Sequence, residues 1–223
     1  MKIGTVTIGQ SPREDVIGEI VELLGADAQI IETGALDGLG RDAIRALEAA
    51  PGEPLLVTRL RDGAEVRVAE RHIHRLAAGC IAELERARVD VILLLCTGDF
   101  PEYRAAPPIV RPGRVLVHAA RSLLEGGRLG VLVPAAEQVP AIRTRWASAG
   151  FEPIVEALSP YRASAEELRA RARALAGAGA ALIVLDCFGF TRAARALVRE
   201  ETGLPVLLPR TLAAAFAREL AGA

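Results

Sequence analysis

The chain has almost no lysine, few aromatic residues and no long apolar run. Lys2 is the only lysine and precedes the first strand-like segment, which argues against Schiff-base chemistry. Phe, Trp and Tyr make up 4% of the chain, so Ala, Leu, Val and Ile must fill its core. No stretch approaches the roughly 18 apolar residues of a membrane span, and Met1–Val6 enters a strand pattern without signal-peptide architecture. No membrane partner and a cytoplasmic setting are therefore expected. A formal net charge of −1 supplies no basic field for nucleic acid. Three cysteines do not make a disulfide framework, and in a reducing compartment Cys80, Cys96 and Cys187 would be free thiols. No His/Cys/Asp spacing suits zinc or iron, so no metal is expected. His72 and His74, two apart on a helix, do not share a face and read as part of a solvated first turn.

What is present is a globular composition, 51% hydrophobic and 25% charged over 223 residues, enough for one large domain or two lobes. Short apolar runs alternate with amphipathic segments, the pattern of βαβ units and a mostly parallel sheet. Strands are expected at Ile3–Ile8, Ala28–Ile31 and Val91–Leu95, with helices at Arg13–Leu24, Arg41–Ala49 and Glu70–Arg88. Leu55–Leu60 and Glu65–Ala69 flank Arg61-Asp62-Gly63, a hairpin signal. A short segment, Arg114–Val117, leads into a helix ending near Gly126-Gly127, which places His118 at a strand end. The order then repeats. Strands are expected at Arg128–Val133, Phe151–Ala157, Leu182–Leu185 and Pro205–Leu208, and helices at Ala136–Ala149, Ala165–Ala176, Thr191–Glu201 and Leu212–Leu220. The fold class is α/β with two pseudo-symmetric lobes, residues 1–125 carrying Cys96 and 126–223 carrying Cys187. A crossover of the chain between lobes at the C-terminus is left open.

Both cysteines end buried-strand runs, Val91–Leu95 before Cys96-Thr97-Gly98 and Leu182–Asp186 before Cys187-Phe188-Gly189. Ligands of open α/β sheets bind at the carboxyl ends of strands. A carbon acid beside a carboxylate is weak, and a thiolate is a competent base while a thiol opposite can return the proton. Such chemistry needs no metal, flavin or pyridoxal phosphate, and the expected cofactor is none. With each sulfur about 3–3.5 Å from the reacting atoms, the thiols would lie roughly 6–8 Å apart, too far for a disulfide without movement. A single thiolate acting as nucleophile is the other use. Gly9-Gln10-Ser11-Pro12 offers backbone N–H groups and a hydroxyl to a carboxylate, and Thr58, Thr97, Gly98, Gly189 and Thr191 are further substrate-binding candidates. Adjacent strand residues face opposite sides, so Asp186 is not expected to touch the Cys187 thiol. Cys80, beside Ala77 and Leu84 on its helix, reads as apolar filler. Arg104, Arg111 and Arg114 lie in a Pro-rich segment able to cover a site, and Arg61, Arg162 and Arg210 are other candidate carboxylate anchors.

Ile3–Arg13 with Cys96-Thr97-Gly98 and Asp186-Cys187-Phe188-Gly189 resembles the AroM family along the whole chain. More distantly the layout is similar to the aspartate/glutamate racemase superfamily, which includes hydantoin racemases, maleate isomerases and arylmalonate decarboxylases. That resemblance implies two α/β lobes with an active site between them and one cysteine from each, here Cys96 and Cys187. It assigns Gln10 and Ser11 to the substrate loop and Thr97 to the polar pair after the first cysteine. Thr97-Gly98 stands where amino-acid racemases usually have Asn-Thr, and Phe188-Gly189 where they have Thr, often followed by His. The clamp for an α-amino acid is weakened, and Phe188 and Phe190 imply a more apolar pocket. The expected function is a cofactor-independent racemase or isomerase, with decarboxylation open, acting on a small carboxylate. The alternative is a metabolite-binding or regulatory protein linked, through the family name, to aromatic amino-acid metabolism. Exposed Ala/Leu-rich helices suit a homodimer.

Overall fold

A computed structural model describes residues 1–25 and 27–222. The chain divides into two compact units, Met1–Pro112 with Ala213–Ala223, and Gly113–Leu212.

The first unit is built on a parallel sheet of order β2-β1-β5-β6, formed by β1 (Lys2–Thr7), β2 (Gln29–Gly34), β5 (Val91–Leu94) and β6 (Ile109–Val110). Helices α1 (Glu14–Leu24), α2 (Arg41–Arg45) and α3 (Glu70–Arg86) and an antiparallel hairpin of β3 (Leu55–Arg59) and β4 (Glu65–Ala69) complete it. All four residues of β5 are buried, as a strand covered on both faces requires. Helix α2 stops at Arg45 rather than Ala49 because Glu48 bridges Val68 of β4 and Leu47 accepts a bond from Ala69 N–H at 2.8 Å.

The second unit repeats the design. Its strands are β7 (Arg128–Val133), β8 (Glu152–Ala157), β9 (Leu182–Leu185) and β10 (Val206–Leu207), in the order β8-β7-β9-β10. Helices α5 (Val139–Ser148), α6 (Ala165–Gly177) and α7 (Arg192–Thr202) follow the corresponding strands. Ser164 and Glu167 form a reciprocal cap at the start of α6, and Gly203 (φ 67°) ends α7 in the left-handed region.

The repeat extends to register. Gly4 pairs with Ile92 between β1 and β5, and Gly130 with Ile183 between β7 and β9. The next bonds also correspond, Leu95 N–H to Val6 O and Asp186 N–H to Leu132 O, each 2.8 Å. Cys96 and Cys187 thus stand at equivalent positions, two residues past the ends of β5 and β9.

Two expectations are corrected here. The division falls after Pro112, not Glu125, because helix α4 (Pro112–Leu123) presents Leu116 and Ala120, both 0% exposed, to Leu129, Val131 and Val133 of the second sheet. The segment Arg114–Val117 is accordingly helical, and His118 lies exposed in mid-helix rather than at a strand end. Pro112 starts this helix as Pro209 starts α8 (Pro209–Leu220). The valines read as a strand, but the spacing of Leu116 and Ala120 defines a buried helical face. No helix among the described residues is long and apolar enough to cross a membrane.

Candidate active site

In the first unit, Cys96 is 9% exposed and its Sγ accepts the Gly98 N–H at 3.3 Å. The hairpin β3–β4 lies against this strand end. A Cβ on Gly98 would come 2.8 Å from Leu56 Cδ2 and 3.5 Å from Cys96 Sγ, so any larger residue there would push the Leu56 side chain aside. Two residues along the same hairpin face, Thr58 meets the loop after β1: a Cβ on Gly9 would lie 2.5 Å from Thr58 Oγ1 and 2.3 Å from Arg59 O. Thr58 is 1% exposed, and its hydroxyl has no hydrogen-bond partner among the described residues. Buried polar groups in this condition are rare and call for a functional account.

Gln10 and Ser11 hold the loop itself. Gln10 Nε2 donates to Leu36 O (3.4 Å) and Leu39 O (3.3 Å), and its Oε1 accepts from Arg61 N–H (3.2 Å). Both Ser11 donors reach Asp37, the backbone N–H at 2.9 Å and the hydroxyl at 2.5 Å. Arg61 is bonded to Ser11 O. These side chains therefore shape the loop, whereas the sequence pointed to direct carboxylate binding. Thr97 is buried beside Cys96.

The segment after Cys96 is held by residues that sequence reasoning passed over. Phe100 packs between His74 (ring centroids 5.5 Å) and Tyr103 (6.3 Å). Tyr103 donates its hydroxyl to His74 O at 3.0 Å, and His74 Nε2 meets Asp99 O at 2.9 Å and Glu70 Oε1 at 3.1 Å. His74 is thus a strut for this segment, not part of a merely solvated turn. Burial pushes the Glu70 carboxyl up, opposed by His74. Burial likewise pushes the Tyr103 hydroxyl up to about 12, opposed by the Arg111 guanidinium. No local pattern pointed to this cluster, since His74 lies 25 to 29 residues from the Asp99 and Tyr103 groups it meets.

In the second unit, Cys187 is 7% exposed and its Sγ accepts the Gly189 N–H at 3.4 Å, the same turn as at Cys96. Gly189 is backed by Pro160 and Tyr161, whose atoms would lie 2.5 and 2.7 Å from an added Cβ. Phe188 and Phe190 are 3% and 2% exposed, and Phe190 packs in the core with Cys187 and Leu208. Phe188 O accepts from Arg210 Nη2 (2.6 Å) and Nε (3.2 Å), which fixes the turn, and Arg210 is 0% exposed. Thr191 caps α7 by accepting from Ala194 N–H at 3.0 Å. Asp186 turns to α5, where Arg145 and Trp146 Nε1 (3.0 Å) donate to it.

Cys80, the third thiol, is buried with Ala77 and Leu84. Burial pushes its pKa up to about 11, in keeping with an apolar filler. Among the described residues, no group of three His, Cys, Asp or Glu side chains is placed to hold a metal ion. Arg61, Arg104, Arg114 and Arg162 are exposed, whereas Arg111 is half-buried.

The family described as AroM protein matches residues 3–221. No curated protein matches the sequence. Among solved structures, arylmalonate decarboxylase in its unliganded form is similar at TM-score 0.66 and 16% identity, covering 99% of this chain and 92% of that one. Allantoin racemase from Klebsiella pneumoniae is similar at TM-score 0.67 and 18% identity, covering 99% and 87%. The maleate isomerase Iso from Pseudomonas putida S16 is similar at TM-score 0.64 and 17% identity, covering 96% and 90%. At these identities the likeness establishes the two-lobe α/β fold.

Proposed function

The chain belongs to the AroM family, and we propose that it is a cofactor-independent racemase- or isomerase-type enzyme that acts on a small carboxylate through Cys96 and Cys187. The observation that carries this reading is the equivalence of the two thiols. Each stands two residues past the end of a buried parallel strand, in the same register, with its sulfur accepting the N–H of a glycine two residues on. An N–H aimed at sulfur favours the thiolate over the thiol.

In the proposed step, one thiolate takes the proton from the carbon beside the substrate carboxylate. The S–H bond forms as the C–H bond breaks, and the electron pair moves into the carboxylate as an enediolate. The other thiol then delivers its proton to carbon and is left as the thiolate, so atoms and charge balance over the turnover. Thr58 and Thr97 hydroxyls and the Gly98 and Gly189 turns are the proposed substrate contacts, while Gln10 and Ser11 brace the loop that borders Thr58. The similar solved structures of a racemase, an isomerase and a decarboxylase support the reaction class.

The test is proton NMR in D₂O with amino, hydroxy, unsaturated and malonic acids and shikimate-pathway intermediates. Exchange, isomerisation or loss of CO₂ is expected for one class. Cys96→Ser and Cys187→Ser should fold normally and each lower turnover by at least about 10²-fold, the scale of one acid–base group. Full activity in both serine variants would remove the two-thiol mechanism.

A second reading, a metabolite-binding protein of aromatic amino-acid metabolism without turnover, draws on the turn at Cys187. Phe188 is buried there and Thr191 is engaged as a helix cap. Saturable binding of one panel compound without product supports it, and product formed in that complex excludes it.

A further inference from the structure

We propose that Arg111 is the anchor for the carboxylate of a ligand that reaches Cys96, an assignment that rests on the small-carboxylate reading above and adds its charged contact. β6 runs parallel to β5, with Ile109 beside Ile92 and Val110 beside Leu93. Arg111 directly follows β6 and therefore leaves the sheet at the end where Cys96 leaves β5. Arg111 and the Cys96 thiol both lie within electrostatic range of the Tyr103 hydroxyl. Nη1 of Arg111 is buried and meets no hydrogen-bond acceptor among the described residues.

Three other arginines with little exposure, Arg13, Arg145 and Arg210, do hold protein acceptors. Arg13 bonds Asp15 at 2.8 and 2.9 Å and Thr7 at 3.0 Å. Arg145 is paired with Asp186. Arg210, just after β10 as Arg111 is just after β6, donates to Phe188 O. Arg210 secures the turn at its cysteine, whereas Arg111, which follows the strand next to β5, keeps a buried Nη1 without an acceptor among the described residues. A desolvated guanidinium N–H is costly to leave unmet and forms a strong, directional bond to a carboxylate. The same positive charge would stabilise an enediolate as it develops. The ligand class is thus a monoanionic carboxylate whose α-carbon comes within reach of the Cys96 sulfur.

Iodoacetate and its neutral analogue iodoacetamide test the anchor without knowledge of the substrate. Alkylation of Cys96 in the intact protein is followed by peptide mass spectrometry, with glutathione giving the intrinsic rate ratio of the two reagents. The iodoacetate-to-iodoacetamide ratio at Cys96 should exceed that of glutathione by about tenfold, the scale of one charge-assisted hydrogen bond. It should fall to the glutathione value in Arg111→Gln and stay between the two in Arg111→Lys. An unchanged ratio in Arg111→Gln, or no reaction of either reagent at native Cys96, overturns the assignment. Should Arg111→Gln fail to fold, wild-type protein decides: phenylacetate should protect Cys96 from iodoacetamide and phenylacetamide should not, and equal protection overturns the anchor. A lost ratio in Arg111→Gln with no turnover of any panel acid keeps the anchor and rejects the enzyme. Turnover with an unchanged ratio does the reverse.

Discussion

Trp146 donates its indole N–H to the Asp186 carboxylate at 3.0 Å, immediately before Cys187. The same carboxylate accepts from Arg145, and the side chain of Asp186 is fully buried. Asp186→Asn keeps an oxygen for the indole and removes the charge opposite Arg145. Breaking a buried pair in this way costs about 3–5 kcal/mol. The urea midpoint should fall accordingly. Trp146 is the chain's only tryptophan, so its fluorescence reports the unfolding of this unit directly. A midpoint within error of wild type would show that the pair contributes nothing net.

Gly189 is held by contact, since an added methyl would lie 2.5 Å from Pro160 Cγ and 2.7 Å from Tyr161 Cζ. Gly189→Ala should therefore lower stability by about 1–3 kcal/mol, as overpacking does, and disturb the turn at Cys187. Combining it with Tyr161→Ala removes the Tyr161 part of the clash and leaves the Pro160 part. The double variant should be more stable than the sum of the two single losses, a non-additivity expected of contacting residues. Strict additivity in thermal melts would place the strain elsewhere.

Thr58→Val replaces a buried hydroxyl that lacks a partner with a methyl of similar shape. Removing such a group should raise stability by about 1 kcal/mol. Under the proposed function it should also lower ligand binding or turnover, because the hydroxyl is held ready for substrate. Calorimetry of the unliganded protein and activity on the identified acid check both halves. A loss of stability would show a structural role for the hydroxyl.

Cys80 predicts an alkaline instability. Its folded pKa of about 11 lies above the ordinary thiol value of 9.0 because burial disfavours the thiolate. A raised folded pKa stabilises the fold below the unfolded value, and that contribution is lost as pH rises from about 9 to about 11. Two units correspond to at most roughly 3 kcal/mol. Urea midpoints measured at pH 8, 9.5 and 11 should fall more steeply for wild type than for Cys80→Ala. Parallel curves would show that Cys80 titrates normally.

Most strands were readable because each condition that makes them is local. Val91–Leu94 and Leu182–Leu185 are short apolar runs bounded by polar or glycine-bearing turns, which a strand buried on both faces requires. The Asp62-Gly63 hairpin and the cap Ser164-x-x-Glu167 are equally local. Helix α4 was misread at its start because two valines near Leu116 suggest a strand. The choice was made by the second sheet, against which Leu116 and Ala120 pack.

The site divides the same way. The placement of Cys96 and Cys187 at strand ends follows from the sequence alone, since an apolar run fixes where a buried strand stops. Their equivalence in register depends on pairing between strands more than 50 residues apart, Leu129 with Leu182 and Ile3 with Val91. Tertiary structure alone decided that Ser11 would be bound to Asp37, that Thr58 would meet Gly9, and that Arg210 but not Arg111 Nη1 would find an acceptor. Whether a polar group is satisfied depends on which distant atoms packing brings within about 3 Å, and no local periodicity encodes that.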